Sequence, residues 1–132
     1  MIDNQIIKIA SDTKNYGLKN NFTHYSNYKN HVCGDKIKIQ KIKKKEKILS
    51  MRYETESCIL CQASASILSK KINLFSSKSL KKDYLILRNS NNKLKIPNKF
   101  KPFKLLLKKN KNRIDCVALP FKALMKALGK RI

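Results

Sequence analysis

Four cysteines constrain the fold of this 132-residue chain more than any other feature of its sequence. Cys58 and Cys61 stand three positions apart at the start of an Ala/Ser-rich run, and Cys33 and Cys116 lie far away on either side. Half of the eight acidic residues lie within four positions of a cysteine: Asp35, Glu54, Glu56 and Asp115. Thiolates and carboxylates are ligands for zinc, and thiolates for iron–sulfur clusters. We therefore expect the fold to gather these sulfurs into one metal or cluster site.

The cellular compartment decides whether these cysteines are expected to form disulfides or to stay free for metal binding or catalysis. The N-terminus has no basic stretch and no small-residue cleavage site, so the sequence predicts no secretory signal. No apolar run approaches the ~18 residues that a membrane helix needs, and no membrane contact is expected. We expect a cytoplasmic protein, in which cysteines bind metal or act in catalysis more often than they form disulfides.

The charge of the chain has two explanations. Lys and Arg number 31 against 8 acidic residues, giving a net charge of +23, and such a surface gains affinity for nucleic acid by releasing counterions. The alternative is compositional drift, because Asn and Ile are abundant beside Lys while Gly occurs only three times. The lysines are spread over most segments, which favours drift. Nucleic acid is therefore not expected as a partner.

The first half of the chain shows a helix and then strand periodicity. Residues 3–12 predict a short helix, and residues 22–28 have the alternation of a strand. Residues 36–40 and 48–54 predict a hairpin with a solvated tip at 43–46, and the second strand should turn one set of side chains to the core. That set is Leu49, Met51 and Tyr53.

The second half is helical. The period changes to that of a helix at Cys58, further helices are expected from Ser79 and over 103–109, and an apolar stripe from Val117 predicts the last one. Pro120 is tolerated near a helix start, which places that start close to Cys116, and Gly129 should end the helix. The order of elements predicts an α+β fold, with a small antiparallel sheet of about three strands packed against several helices. We expect one domain over 1–132, with an inserted segment around 88–112.

Two of the thiols fall at predicted helix starts. The unpaired N–H groups and the dipole at a helix N-terminus favour thiolate over thiol, so Cys58 and Cys116 should be poised as anions. Asp35 or Asp115 can add an oxygen ligand to them. Cys61, one turn into its helix, fits buried packing as well as it fits a fourth thiol.

Three motifs together resemble the IscU/SufU/NifU N-terminal family of iron–sulfur cluster assembly proteins. They are a Cys-Gly-Asp turn at 33–35, a cysteine followed by an Ala/Ser-rich helix at 57–66, and a third cysteine with its helix at 113–124. Asp115 stands where IscU-type scaffolds carry a histidine, and the stretch between Cys58 and Cys116 is long, which favours the SufU-like branch. The resemblance implies a SufU/IscU-like fold.

The resemblance also implies roles for individual residues. Cys33, Asp35, Cys58 and Cys116 would be the metal ligands, holding either a transient Fe–S cluster of the 2Fe–2S type or Zn²⁺. Cys116 would accept persulfide sulfur from a SufS/IscS-like cysteine desulfurase, with Arg113 and Cys61 as auxiliary residues.

Three functions follow from this reading. The first is a scaffold that builds a cluster and passes it to downstream assembly or acceptor proteins. The second is a zinc-dependent sulfurtransferase, the enzymatic alternative, which relays sulfur without building a cluster. The third, much less favoured, is a basic nucleic-acid-binding zinc module. A monomer or a weak homodimer is expected in each case.

Overall fold

A three-stranded antiparallel sheet and the helices that cover it make up the computed structural model, which describes residues 4–30, 34–89, 97–108 and 113–129. The elements follow the order α1 Asn4–Ala10, β1 His24–Lys29, β2 Lys36–Lys44, β3 Lys47–Glu56, α2 Ile59–Lys70, α3 Leu80–Arg88, α4 Lys104–Lys108 and α5 Ile114–Ala127. Short 3-10 turns cover Ile72–Leu74 and Asn98–Phe103. The strands lie in the order β1-β2-β3. The predicted α+β fold is confirmed.

A bulge near the hairpin tip corrects one detail of the predicted sheet. Ile42 pairs with Ser50, and Lys43 pairs with Ile48, so Leu49 is an extra residue on β3. One extra residue moves every side chain beyond it to the other face of the strand. Ile48 is consequently 1% exposed and Leu49 is 54% exposed. The prediction that Leu49 faces the core was wrong, whereas Met51 and Tyr53 do face it.

Small residues let α2 and α5 approach each other closely. The α2 side chains from Ala63 to Ser66 are buried, and the hydroxyl of Ser64 donates to the backbone carbonyl of Val117 at 2.6 Å. Ser26 on β1 likewise donates to the carbonyl of Ala123 at 2.6 Å. Each such bond satisfies a buried hydroxyl, which would otherwise cost about 1–3 kcal/mol. The two hydroxyls therefore fix α5 against both α2 and the sheet.

Four phenylalanines support the other side of α5. Phe75, Phe100, Phe103 and Phe121 form a cluster whose ring centroids lie 5.5–6.4 Å apart. This cluster packs residues 98–103 into the core. Residues 90–96 and 109–112 of the predicted insertion lie outside the described residues, and the single domain with an insertion at 88–112 stays a prediction.

The last helix begins earlier than its proline suggested. It starts at Ile114, so Cys116 lies within its first turn and Pro120 is inside the helix. Because proline has no N–H, it cannot donate to the carbonyl of Cys116 four residues earlier. The helix ends near Gly129, as predicted, with a φ of +71° that favours glycine. Among the described residues, no helix is both long enough and apolar enough to cross a membrane.

Candidate metal centre

A tight turn before β2 presents the carboxylate of Asp35. The N–H of Gly34 donates to the carbonyl of Asn30 at 2.7 Å, and the N–H of Asn30 donates to the carbonyl of Asp35 at 2.8 Å. Gly34 has a φ of +81°, a left-handed conformation that costs other residues about 1 kcal/mol or more. The glycine thus lets the chain reverse just before the strand and leaves Asp35 at the edge of the sheet.

Cys58 joins the end of β3 to the start of α2. It is the N-cap residue of α2, with extended backbone at φ −66° and ψ 162°. Its N–H is one of the groups that a helix start leaves without a partner inside the helix. That N–H donates instead to Oδ1 of Asp35 at 3.3 Å. The carboxylate from the turn therefore lies directly beside the first thiol.

The third donor comes from the first turn of α5. One ligand atom each from Asp35, Cys58 and Cys116 lies within 4.8 Å of the other two. The second carboxylate oxygen of Asp35, Oδ2, is buried and has no hydrogen-bond partner among the described residues. A buried carboxylate oxygen without a partner is costly, and a bound cation would remove that cost. The donor set therefore fits a thiophilic metal ion.

Arg113 lies against this group of three donors, one turn before the cysteine it contacts. Its guanidinium donates to Sγ of Cys116 at 3.7 Å. The pKa of Arg113 is raised, first by this hydrogen bond, then by Cys58 and Cys116, and also by Asp35. The guanidinium is thus close enough to favour negative charge on every donor. Its auxiliary role stays a prediction.

The electrostatics of the Cys116 thiol differ from the prediction. The pKa of the Cys116 thiol is raised to about 12, first by burial and then by the adjacent Cys58, with Arg113 acting in the opposite direction. The expectation that Cys116 is held as a thiolate was wrong for the metal-free site, because burial disfavours the charged form of the thiol. Cys116 stays protonated at neutral pH until a cation or a reaction partner takes the place of the proton.

Two residues named in the sequence stand apart from the donor group. Asp115 forms an ion pair with Arg88 on the surface and is 54% exposed at its side chain, so it does not supply the oxygen. Cys61 is fully buried in the core, where burial raises the pKa of its thiol to about 12. Arg88 was not expected near this region, and no local pattern could reveal a partner 27 residues away.

Cys33, the remaining cysteine, lies outside the described residues. It precedes the donor Asp35 by two positions in the sequence. Its place as a ligand stays a prediction.

The fold and the site together define a class of protein. It is an α+β domain in which two thiols and a carboxylate meet in one site. The chain belongs to the NifU-like N-terminal domain family, which it matches over residues 1–130. An uncharacterized protein of Borreliella burgdorferi is 30% identical to it over 129 residues, which covers 96% of this chain and 82% of that protein.

Solved structures share the fold at lower identity. One is a protein from Fervidobacterium islandicum, proposed as an iron–sulfur cluster assembly scaffold of the SUF system. It is 22% identical with a TM-score of 0.82, and the match covers 96% of each chain. A nitrogen-fixing NifU-like protein (N-terminal) from Brucella abortus is 16% identical with a TM-score of 0.81, over 96% of this chain and 91% of that one. At these identities the likeness concerns the fold.

Proposed function

We propose that this protein is an iron–sulfur cluster assembly scaffold of the SUF type, on the SufU-like branch. The observation that carries the proposal is the meeting of Asp35, Cys58 and Cys116 within 4.8 Å in a member of the NifU-like N-terminal family. The three residues come from a turn and two helix starts, far apart in the sequence. Such convergence supports a site built for a metal or cluster. Cys33 is the proposed fourth ligand.

The cluster is the cargo of such a scaffold. The free carboxylate oxygen of Asp35 and the Cys116 side chain are buried, whereas Cys58 is half-buried, so Cys58 is the most accessible of the three donors. A mixed sulfur and oxygen set holds a cluster less firmly than four thiolates do, since carboxylates are harder ligands. This composition suits a cluster of the 2Fe–2S type that has to be released to an acceptor protein.

Sulfur would reach the site through Cys116. A cysteine desulfurase of the SufS/IscS type carries a persulfide, and the Cys116 thiolate attacks its outer sulfur. The S–S bond of the donor breaks, the desulfurase cysteine leaves as a thiolate that takes up the proton given up by Cys116, and the persulfide is now on Cys116. The Arg113 guanidinium at 3.7 Å would stabilise the anion that attacks. We also propose that this exchange takes place in the cytoplasm, where free thiols persist.

A zinc-dependent sulfurtransferase is the second candidate, and one observation favours it. A single Zn²⁺ needs four ligands, and two thiols and one carboxylate already lie close together here. In that case the protein would be an enzyme that passes sulfur on without building a cluster. The residues would keep the same roles, with zinc holding the thiols deprotonated between transfers.

Anaerobic reconstitution separates the two candidates. The protein is incubated with ferrous iron, L-cysteine and a cysteine desulfurase, and the visible absorption and labile sulfide are measured. A scaffold develops sulfur-to-iron charge-transfer bands, binds labile sulfide and activates an apo-ferredoxin. Absence of these bands together with one tightly bound zinc per chain would overturn the scaffold proposal and leave the sulfurtransferase.

A further inference from the structure

The hairpin between β2 and β3 ends in a concentrated positive charge. Residues 36–47 contain seven lysines and one glutamate. Lys43, Lys44 and Lys45 run directly into the turn, and no ion pair is found for them in the part of the chain that the structure describes. Glu46 is engaged elsewhere, since the Ser77 hydroxyl donates to its carboxylate at 3.1 Å. The tip therefore presents cations that no carboxylate of the turn neutralises.

The turn also keeps a lysine where the backbone favours another residue. Lys45 has a φ of +55°, the left-handed conformation that glycine or asparagine adopts at least cost in a two-residue hairpin turn. Residues kept against the local preference are expected at functional or strained sites.

Two exposed aromatic rings stand beside this tip. Phe22 and Tyr25 are 41% and 44% exposed, and their ring centroids lie 6.2 Å apart. Thr23, between them, fixes their position against the hairpin. Its N–H donates to the carbonyl of Lys41 at 2.9 Å, and its hydroxyl accepts the N–H of Lys43 at 2.9 Å. Thr23 thus places the segment with the two rings next to the end of β2 that carries Lys43.

A cavity of about 230 Å³ opens next to Phe22. Its lining includes Lys19, Asn21 and Arg52 and contains no acidic residue. The positive field reaches His24, whose pKa is lowered first by burial and then by Lys41 and Lys43. Hydrogen-bond donors and cations without carboxylates favour a ligand that carries negative charge.

We propose that the hairpin-tip surface, formed by Lys19, Phe22, Tyr25 and residues 43–45, binds single-stranded nucleic acid. A single strand offers unpaired bases that stack on aromatic rings and phosphates that bind cations. A duplex buries the faces of its bases and can use only the lysines. The combination of rings and lysines therefore matches a single strand better than a duplex or an anionic membrane.

The surface is separate from the metal centre. Lys43 lies eight residues beyond Asp35 along β2, about 26 Å at 3.3 Å per residue, and Tyr25 pairs with Gln40, five residues beyond Asp35. The acidic donor group consequently does not repel phosphate at the tip. This binding goes beyond the scaffold function and does not depend on it.

The aromatic contribution is tested with a fluorescein-labelled 12-nucleotide oligouridine, followed by fluorescence anisotropy. The double variant Phe22→Ala and Tyr25→Ala has the same charge as the wild type. It should bind about tenfold more weakly or worse, since bases can no longer stack on the two rings. A 12-base-pair duplex should bind more weakly than the single strand. Equal affinity of the double variant and the wild type, or of duplex and single strand, would overturn the proposal.

The charge contribution is tested by salt dependence. Changing Lys43, Lys44 and Lys45 to Gln should lower the slope of log K against log salt by about two, because each neutralised phosphate of a single strand contributes about 0.7. The matched control removes three exposed lysines from α1, the second 3-10 turn and α4: Lys8→Gln, Lys101→Gln and Lys104→Gln. This control should keep the wild-type slope.

An equal decrease of the salt-dependence slope in the two triple-lysine variants would show that the strand is attracted by the net charge alone. That result would overturn the proposal. Binding to vesicles with one quarter phosphatidylserine that depends on the tip, without binding to the oligouridine, would assign the surface to membranes and would overturn it as well. Melting curves and zinc content of each variant establish that the fold and the metal centre are intact. A failure at the tip is thereby distinguished from a failure of the scaffold.

Discussion

The N–H of Cys58 donates to Oδ1 of Asp35 at 3.3 Å, and the other oxygen of that carboxylate is buried without a partner among the described residues. The bond joins the turn before β2 to the start of α2. One oxygen therefore holds the site together, and the other is available for a cation. This division of roles between the two oxygens leads to the first prediction.

Asp35→Asn and Asp35→Ala should separate the two roles. Asparagine keeps an oxygen that accepts the N–H of Cys58 but loses the charge, so we expect zinc affinity to fall by about tenfold or more with little loss of stability. Alanine should show the same fall in affinity and in addition a loss of about 1 kcal/mol of unfolding free energy. Competition with a zinc chelator and urea unfolding measure the two quantities. Unchanged affinity in Asp35→Asn would show that the carboxylate is not a ligand.

Arg113→Gln should make Cys116 less reactive. The guanidinium lowers the pKa of that thiol, so its removal leaves less thiolate at a given pH. The alkylation rate of Cys116 by iodoacetamide at pH 8, followed by mass spectrometry of the metal-free protein, should fall severalfold. Arg88→Gln is the matched control, because Arg88 pairs with Asp115 and no bond from it to a thiol is found among the described residues. Equal effects of the two variants would show that general charge, not the contact with Cys116, controls the rate.

Zinc binding should release protons. Burial raises the pKa of Cys116 to about 12, so the thiol is protonated at pH 7 and has to lose its proton when a metal binds. We expect zinc affinity to rise by about tenfold per pH unit for each proton released. Calorimetry in buffers of different ionisation enthalpy counts these protons directly. A count below one would contradict a buried thiol ligand, and Cys116→Ser should lower the wild-type count.

Cys61→Ala should affect stability and leave metal binding intact. The side chain is fully buried, so its truncation should cost about 1 kcal/mol of unfolding free energy. Burial raises the pKa of this thiol from 9.0 to about 12, so the stability it contributes is present below pH 9 and is lost as the pH rises from 9 towards 12. The loss of stability over that range should be smaller in Cys61→Ala than in the wild type. Reduced zinc stoichiometry in Cys61→Ala would show that Cys61 is a ligand after all.

The sequence predicted the fold well where local periodicity decides it. The alternation in 36–40 and the apolar stripe from Val117 gave a strand and a helix at the right places, because burial of one face repeats every two or about 3.6 residues. Leu49 could not be placed correctly, since its exposure depends on a bulge defined by pairing with β2. Bulges arise from tertiary pairing and leave little local signal.

The meeting of three of the predicted donors followed from the sequence, whereas their electrostatics did not. The motifs around Asp35, Cys58 and Cys116 pointed to one site, and these three donors do meet. The high pKa of Cys116 depends on how deeply α5 buries it, and the pairing of Asp115 with Arg88 depends on the packing of α3 beside α5. Neither the depth of burial nor a partner on another helix follows from local spacing.

X-ray absorption at the zinc K edge tests the shared site most directly, because it counts the sulfur atoms bound to the metal. We expect Cys58→Ser and Cys116→Ser each to lower the sulfur count of the zinc-loaded protein by one, while Cys61→Ser leaves it unchanged. An unchanged count in either Cys58→Ser or Cys116→Ser would mean that the two thiols do not hold the same metal ion, and would contradict the account.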